Sequence, residues 1–108
     1  MSEDREQPKV SVRIVTYNHE RFIGQAIDSV LMQTVNFPYE IVIGEDCSTD
    51  NTRRIVMDYR DRYPDKIRLL LHEQNVGQHA NIMRTEAACR GRYMANLDGD
   101  DYWTDPCK

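Results

Sequence analysis

Three carboxylates lie close together near the end of the sequence, at Asp98, Asp100 and Asp101. They directly follow an apolar segment, residues 93–97, that is typical of a β-strand, so they stand where the chain turns. Two like charges about 4 Å apart repel by about 4 kcal/mol at an effective dielectric constant of 20, and a bound cation removes this cost. Oxygen ligands suit Mg²⁺ or Mn²⁺ better than Zn²⁺, and Mg²⁺ is often shared with substrate phosphates. This acidic run predicts a metal-diphosphate site, with a solvated acidic turn as the alternative.

The elements that must position these carboxylates alternate between strand-like and helix-like segments. Runs of β-branched and apolar residues predict four strands, at residues 10–15, 39–44, 67–71 and 93–97. Apolar residues at helical spacing predict three helices, at residues 20–33, 51–63 and 78–89. We expect Asn18 to cap the first helix, and Ala80, Met83 and Ala87 to form the buried face of the third. The alternation is typical of right-handed βαβ units, so we predict an α/β fold with a mostly parallel sheet and helices on both faces.

Polar residues follow each predicted strand, and in an open parallel sheet this edge is the one that binds ligands. Ligands lie outside the carboxyl ends of the strands, where the strand order reverses. The first three strands are followed by Thr16 and Tyr17, by Asp46, and by the loop that contains Asn75 and Gly77. The acidic run follows the fourth strand. We therefore expect all these residues to share one edge of the sheet and one site.

Two residues on this edge suit a nucleobase. Tyr17 offers a flat ring for stacking, worth about 1–3 kcal/mol per base, and the carboxylate of Asp46 can accept a hydrogen bond from a base imide. Together they favour uracil. The structural alternatives remain open at this point, since Tyr17 could cap the sheet as a partly buried aromatic residue and Asp46 could be a turn or helix-cap residue.

Composition excludes several classes of protein. The 108-residue chain has a net charge of −4, which argues against nucleic acid as a partner. Its three cysteines lack CxxC spacing, so a reducing compartment fits best. No apolar run approaches the ~18 residues of a membrane helix, so we predict no membrane span and a cytoplasmic location, with the full-length protein able to act at the inner face of a membrane. No Gly-rich phosphate loop is present, so a bound diphosphate would need the metal.

Six segments of the sequence together resemble one known family. They are VSVRIVTYN at 10–18, DSVLMQT at 28–34, EDCSTD at 45–50, NVG at 75–77, ACRGRY at 88–93 and DGDD at 98–101. In this order and spacing they resemble the family 2 glycosyltransferases, which have the Rossmann-like GT-A fold. The resemblance spans nearly the whole chain from Val10, and it is the combination of segments that makes it specific.

The resemblance implies a transferase that uses a nucleotide diphospho-sugar, with UDP sugars preferred, and inverts the anomeric carbon. It implies that Thr16, Tyr17 and Asp46 hold the base and ribose, and the similar NVG segment adds Asn75 and Gly77 to the donor site. Asp98 and Asp100 match the DxD motif of the family. Asp98 would lie near the ribose or diphosphate, and Asp100 would be the direct ligand of Mn²⁺ or Mg²⁺.

The resemblance also implies how the chain is divided. The charged start of the sequence predicts a flexible tail at residues 1–9, and the resemblance makes residues 10–108 the donor-binding half of a GT-A domain. The acceptor, a saccharide or lipid-linked sugar, and the catalytic base would belong to a half beyond Lys108, so no catalytic residue is expected in this chain. Turnover by this half alone would then be negligible. A sheet face or edge left without that half could support a homodimer.

Two positions depart from the family pattern. Glu45 stands where many members carry Asp, and Ile82 stands where many carry an Arg that approaches the diphosphate, with Asn81 as the nearest polar residue. The phosphate contacts from the third helix are thereby in question. Two other functions stay open, a non-catalytic nucleotide-binding module and a sugar nucleotidyltransferase, although the second would be expected to carry a Gly-rich basic loop after the first strand.

Overall fold

The structure is a computed structural model that describes residues 8–33 and 38–98, with Asp98 described by its backbone only. Seven elements follow one another along the chain, and their bounds are β1 Val10–Thr16, α1 Ile23–Leu31, β2 Tyr39–Glu45, α2 Thr52–Arg62, β3 Ile67–Leu71, α3 Gln78–Ala88 and β4 Tyr93–Asp98. The strands and helices alternate as predicted, and each boundary outside α1 lies within one residue of its prediction. Residues 1–7 of the predicted tail, and Asp100 and Asp101 of the acidic run, lie outside the described residues.

The four strands form a parallel sheet in the order β3-β2-β1-β4. The chain moves outward from β1 to β2 and β3, and then returns to the other side of β1. The strand order therefore reverses between β1 and β4, which puts the ligand-binding edge of such a sheet at the carboxyl ends of these two strands. The predicted α/β fold is confirmed.

An apolar core fills one face of the sheet. It is formed by alternate residues of the strands, such as Ile14 and Ile41, packed against α1 and α2. Every second strand residue points to this face, which explains why the β-branched runs were good predictors of the strands. Its buried members are Val12, Ile14, Ile23, Ala26, Ile27, Val30, Ile41, Ile43, Val56, Tyr59, Ile67 and Leu97.

Helix α3 packs on the opposite face, and the predicted buried face of this helix was wrong. Met83 is 56% exposed and Ala87 is exposed, whereas Asn81 and Thr85 are buried. The reason is a close approach to Gly44, where an added Cβ would lie 2.0 Å from the Thr85 hydroxyl oxygen. Polar side chains can face the strand because they are hydrogen-bonded there, an arrangement that apolar periodicity does not detect.

Helix α1 begins three residues later than predicted and ends two residues earlier, and Asn18 does not cap it. The helix is preceded by a turn in which the carbonyl of His19 accepts hydrogen bonds from the amides of Phe22 and Ile23, both at 2.8 Å. Asn18 has a left-handed backbone, with φ of 55°, and its side chain bonds to Thr49 in the loop after β2. Asn18 is therefore engaged with a residue about thirty positions away along the chain and does not cap α1.

Candidate functional site

A cleft of about 430 Å³ opens at the carboxyl ends of β1 and β2, beside the start of α3. This volume is within the range of small-molecule sites. The cleft lies next to the reversal of strand order, at the edge where the sequence predicted a site. It is lined by Val15, Thr16, Tyr17, His19, Asp46, Asn75, Gly77, Gln78 and Asn81.

Five of the residues predicted to bind a ligand line this cleft: Thr16, Tyr17, Asp46, Asn75 and Gly77. They come from the ends of β1 and β2 and from the loop before α3, so the predicted convergence of these three segments is observed. Their role in binding stays a prediction. Tyr17 is 41% exposed as a residue, so its side chain is not fully covered by the fold.

The acidic run begins at the same edge. Asp98 is the last residue of β4, and the strand register pairs it with Val15, which lines the cleft. The backbone of Asp98 thus lies beside the cleft, while Asp100, the predicted metal ligand, lies outside the described residues. Among the residues that are described, no three His, Cys, Asp or Glu side chains come together as a metal site. The metal site at the acidic run, whose oxygen ligands would suit Mg²⁺ or Mn²⁺, therefore stays a prediction.

Asp46 is the most constrained residue of the cleft. It is 2% exposed, and its two carboxylate oxygens accept hydrogen bonds from the amides of Val76 and Gly77 at 2.8 and 3.0 Å. The Asn75 side chain donates to the backbone carbonyl of Asp46 at 3.2 Å. Gly77 has φ of 91°, a conformation that L-residues with a side chain rarely adopt. Asp46 therefore fixes the loop that forms one wall of the cleft.

A carboxylate has about four acceptor positions, so two amide donors do not saturate Asp46. Each of its oxygens keeps a second lone pair, and the residue lines the cleft although it is largely buried. The sequence left open a structural role for Asp46, and the structure shows one, because its carboxylate accepts hydrogen bonds from the amides of Val76 and Gly77. Binding of a base by the same carboxylate is compatible with this geometry.

The loop after β1 is joined to the loop after β2 by two sets of hydrogen bonds. The Asn18 side chain exchanges bonds with Thr49, and its backbone amide donates to the Ser48 hydroxyl, at 2.8–3.1 Å. The amide of His19 donates to the Thr52 hydroxyl at 2.9 Å, and Thr52 is in turn bonded to Asp50 at 2.6 Å. These contacts fix the position of the β1 loop before any ligand arrives. They also give Asp50 a role at the start of α2, away from the cleft.

Glu45, one of the two departures from the family pattern, has a structural role. Its side chain is fully buried, accepts a hydrogen bond from the amide of Ser48 at 2.9 Å, and forms an ion pair with Arg53 at 2.8 Å. Arg53 also donates to the carbonyl of His72. The longer side chain therefore ties β2 to α2 and β3, and it leaves Asp46 as the acidic residue that lines the cleft.

Asn81, the polar residue nearest to the missing arginine, is committed to the fold. Its amide nitrogen donates to the carbonyl of Gly44 at 2.9 Å, and its oxygen lies 2.8 Å from Nε2 of His72. The same oxygen accepts from the Thr85 hydroxyl at 3.3 Å. Asn81 contributes to the cleft wall, but its hydrogen-bonding groups are occupied by the sheet and by α3.

His19 and Gln78 line the cleft and were not among the predicted binding residues. The sequence carried only a weak signal for them. His19 follows Asn18 in the loop after β1, and Gln78 follows Gly77 at the start of α3, so both are next to predicted residues. No lysine or arginine belongs to the described cleft lining, which matters for an anionic ligand.

The model of one protein family matches residues 11–108, which is nearly the entire chain. This is the family described as glycosyl transferase family 2. The chain belongs to glycosyl transferase family 2. This membership does not favour the two alternatives left open by the sequence, a non-catalytic module and a nucleotidyltransferase.

Individual relatives agree with this assignment. Over 99 residues the chain is 44% identical to Rv1520, an uncharacterized protein of Mycobacterium tuberculosis, and the match covers 92% of this chain and 29% of that protein. The crystal structure of Staphylococcus aureus TarS in complex with UDP-GlcNAc is 33% identical, with a TM-score of 0.75, covering 87% of this chain and 27% of that one. TarS is a poly(ribitol-phosphate) β-N-acetylglucosaminyltransferase.

A third likeness supports the fold alone. The mannosyltransferase PcManGT from Pyrobaculum calidifontis, solved with GDP-Man and Mn²⁺, is 24% identical with a TM-score of 0.81, covering 94% of this chain and 30% of that one. The glycosyl transferase family 2 chain thus has the GT-A fold, as the sequence resemblance implied. It spans about three-tenths of the length of the relatives it matches. None of the helices within residues 8–33 and 38–98 is long and apolar enough to cross a membrane.

Proposed function

We propose that the cleft binds the nucleotide part of a nucleotide diphospho-sugar, and that the chain is the donor-binding half of an inverting glycosyltransferase. The observation that carries this proposal is the convergence of Thr16, Tyr17, Asp46, Asn75 and Gly77 on one cleft at the carboxyl edge of the sheet. Membership of glycosyl transferase family 2 narrows the ligand to a sugar donor.

A UDP sugar is the preferred donor on this proposal. The exposed ring of Tyr17 would stack on the uracil, and the remaining lone pairs of Asp46 would accept a hydrogen bond from its imide N–H. TarS, which is 33% identical over the matched part, binds UDP-GlcNAc, and this supports the same class of donor here.

A divalent metal, Mn²⁺ or Mg²⁺, would be held by Asp100 with help from Asp98. The support is the all-oxygen donor set and the register that brings Asp98 beside Val15 of the cleft. When bound, such a metal acts as a Lewis acid and stabilises the departing diphosphate. The residues of the cleft itself would bind and orient the donor.

The acceptor is a saccharide or a lipid-linked sugar, and the carboxylate that deprotonates its hydroxyl lies outside this chain. The match to about three-tenths of each relative's length is in keeping with this division. We also propose a cytoplasmic location and, for the isolated half, a homodimer formed through a sheet edge. Size-exclusion chromatography with light scattering measures the second directly, and a monomer at all concentrations would contradict it.

Calorimetric titration of UDP, with and without Mn²⁺, tests the donor site. We expect Mn²⁺ to tighten binding to the unmodified chain, Asp100→Ala to remove the metal effect, and Tyr17→Ala to weaken binding about tenfold in both conditions. Tyr93→Ala and Asp61→Ala are matched controls, because both residues are exposed and neither lines the cleft. Equal UDP affinity for all variants and conditions would contradict the proposal.

A further inference from the structure

We infer that His19 is the cationic contact for the diphosphate of the donor, so that donor binding is coupled to protonation of this side chain. The inference rests on the proposed function. It begins with charge: the diphosphate of a nucleotide sugar is anionic, whereas the described cleft lining contains Asp46 and no lysine or arginine. His19 is the one side chain of that described lining that can become a cation.

The order of the strands puts His19 on the path of the diphosphate. Asp46, the proposed base contact, follows β2, and the acidic run follows β4, while β1 lies between these two strands. A donor that reaches from the base contact to the metal must therefore cross the carboxyl end of β1. Thr16 and His19 stand at this end and line the cleft.

The imidazole of His19 is held in a fixed position with one nitrogen unused. Its Nδ1 lies 2.9 Å from the hydroxyl oxygen of Thr16, which is itself buried, and its backbone amide bonds to Thr52. Within residues 8–33 and 38–98, Nε2 has no hydrogen-bond partner. Since Nδ1 is occupied, Nε2 is the nitrogen that can donate to a phosphate oxygen in the cleft.

The partner of Nδ1 allows His19 to gain a proton without losing a contact. A hydroxyl can both donate and accept, so Thr16 can pair with Nδ1 whether or not that nitrogen carries hydrogen. A backbone N–H in this position would have required an Nδ1 without hydrogen. Protonation therefore adds a charge-assisted donor at Nε2 while the geometry of the loop stays the same.

The charged groups around the β1 loop are mainly acidic. Asp46 comes from the end of β2, Asp50 from the start of α2, where it bonds to Thr52, and Glu20 from the β1 loop itself, where it accepts from the amide of Asn51. All three side chains end in a carboxyl group. Arg21 is the nearest cation in sequence, and it is exposed. A positive charge on His19 is therefore compatible with its surroundings.

Helix α3 contributes no cation to the described cleft lining. Its residues there are Gln78 and Asn81, and Asn81 is fully engaged with Gly44 and His72. A histidine on the β1 loop supplies a positive charge from a different element. Unlike arginine, which is always charged, histidine as a residue type can gain or lose its charge.

The test is calorimetric titration of UDP-GlcNAc at pH 6 and pH 8 with constant Mn²⁺, in two buffers of different ionisation enthalpy. UDP-GlcNAc is preferred to UDP because the terminal phosphate of UDP titrates near pH 6 itself. We expect about tenfold tighter binding at pH 6, the size of one charge-assisted hydrogen bond, together with net proton uptake. His19→Gln should lose both effects, and His19→Lys should bind equally well at both pH values. His79→Gln is the matched control, since His79 is exposed and does not line the cleft.

Uridine, which has no phosphate, separates the possible results. We expect the unmodified chain and His19→Gln to bind uridine equally. A parallel loss of uridine binding in His19→Gln would mean that His19 only holds the loop, and unchanged pH dependence in that variant would mean that another group is linked; each result overturns this inference alone. If the unmodified chain binds neither uridine nor UDP-GlcNAc, the proposed function is overturned as well.

Discussion

Two buried carboxylates near opposite ends of β2 show how differently the two ends of the sheet are built. Glu40, near the amino end, and Asp46, just past the carboxyl end, are each 2% exposed. Glu40 accepts hydrogen bonds from the Ser11 hydroxyl at 2.6 Å and from the side chains of Arg90 and Arg68 at 3.0 and 3.2 Å. Asp46 is held by the two backbone amides before α3 and by no cation of the described chain.

The partners of each carboxylate explain what its end of the sheet can do. Arginine side chains neutralise Glu40 and close the amino end, where the amides of Arg90 and Gly91 bond to Glu40 and Ser11 at 2.7 Å. Amide donors satisfy Asp46 without filling the space beside it, so a cleft remains. Burial of a carboxylate alone therefore does not indicate a binding site. A buried carboxylate next to an open cleft at the carboxyl edge of the sheet does indicate one.

The largest expected effect is the loss of Glu40. Glu40→Ala leaves Arg68 and Arg90 without their shared partner and removes the anchor of the connection into β4. Both arginines keep contact with water, which places the destabilisation near the lower end for a broken buried pair, at about 3 kcal/mol. Urea unfolding measures this value, and UDP affinity of the folded fraction should be unchanged. A loss of UDP affinity without a loss of stability would reverse the roles assigned to the two ends.

The opposite pattern is expected for Asp46→Asn. In Asn an NH₂ group replaces one of the two carboxylate oxygens, so it faces the amide of either Val76 or Gly77, and that N–H is left unpaired at a cost of about 2 kcal/mol. The wall of the cleft should shift, and UDP affinity should fall at least about tenfold. Calorimetry and urea unfolding measure the two effects, with Asp58→Asn on the exposed side of α2 as control. Unchanged affinity would show that the loop wall takes no part in binding.

Much of the fold could be predicted because its signals are local. The bounds of β3 agree with the sequence prediction, and β1, β2 and β4 each extend one residue beyond it. This agreement is expected because runs of β-branched residues are typical of strands that are buried in a sheet. The buried face of α3 could not be predicted in this way. It depends on how closely the helix approaches Gly44, a residue in another element, and on side chains that are polar but hydrogen-bonded.

The residues that meet at the candidate site could also be predicted from the sequence, but their hydrogen-bond partners could not. The rule that parallel strands end at one edge is enough to bring Tyr17, Asp46 and Gly77 together. It could not assign partners within the edge, because Asp46 bonds to amides about thirty residues away. Nothing in the sequence separates His19 from an ordinary loop histidine. The role that we infer for it depends on the lack of lysine and arginine in the described cleft lining, which only the structure shows.

A smaller effect is expected at the glycine of the cleft wall. Gly77 has φ of 91°, but an added Cβ would meet no atom within 4 Å, so Gly77→Ala is opposed only by backbone strain. We expect a destabilisation of about 1 kcal/mol, with a modest loss of UDP affinity because the Gly77 amide holds Asp46. Gly24→Ala is the control, since Gly24 lies within helix α1 and has no positive φ. Equal losses for both variants would point to a cause other than backbone conformation.

The smallest and most specific expected effect is a difference in stability at acid pH between the unmodified chain and Glu40→Gln. Burial alone would raise the pKa of Glu40, but hydrogen bonds from Ser11, Arg90 and Arg68 outweigh it and lower the pKa below the ordinary value of 4.5. A group with a lowered folded pKa stabilises the fold above its unfolded pKa, and this stability is lost as the pH falls through the folded value. The unmodified chain should therefore lose more stability between pH 5 and pH 3 than Glu40→Gln, as measured by urea unfolding. Asp50, whose pKa is also lowered against the effect of burial by bonds from Thr52, contributes in the same direction in both proteins, so it cancels in the comparison. An equal loss of stability in the two proteins would mean that the arginine side chains do not hold Glu40 ionised. The only remaining difference between Glu40 and Asp46 would then be the cleft beside Asp46.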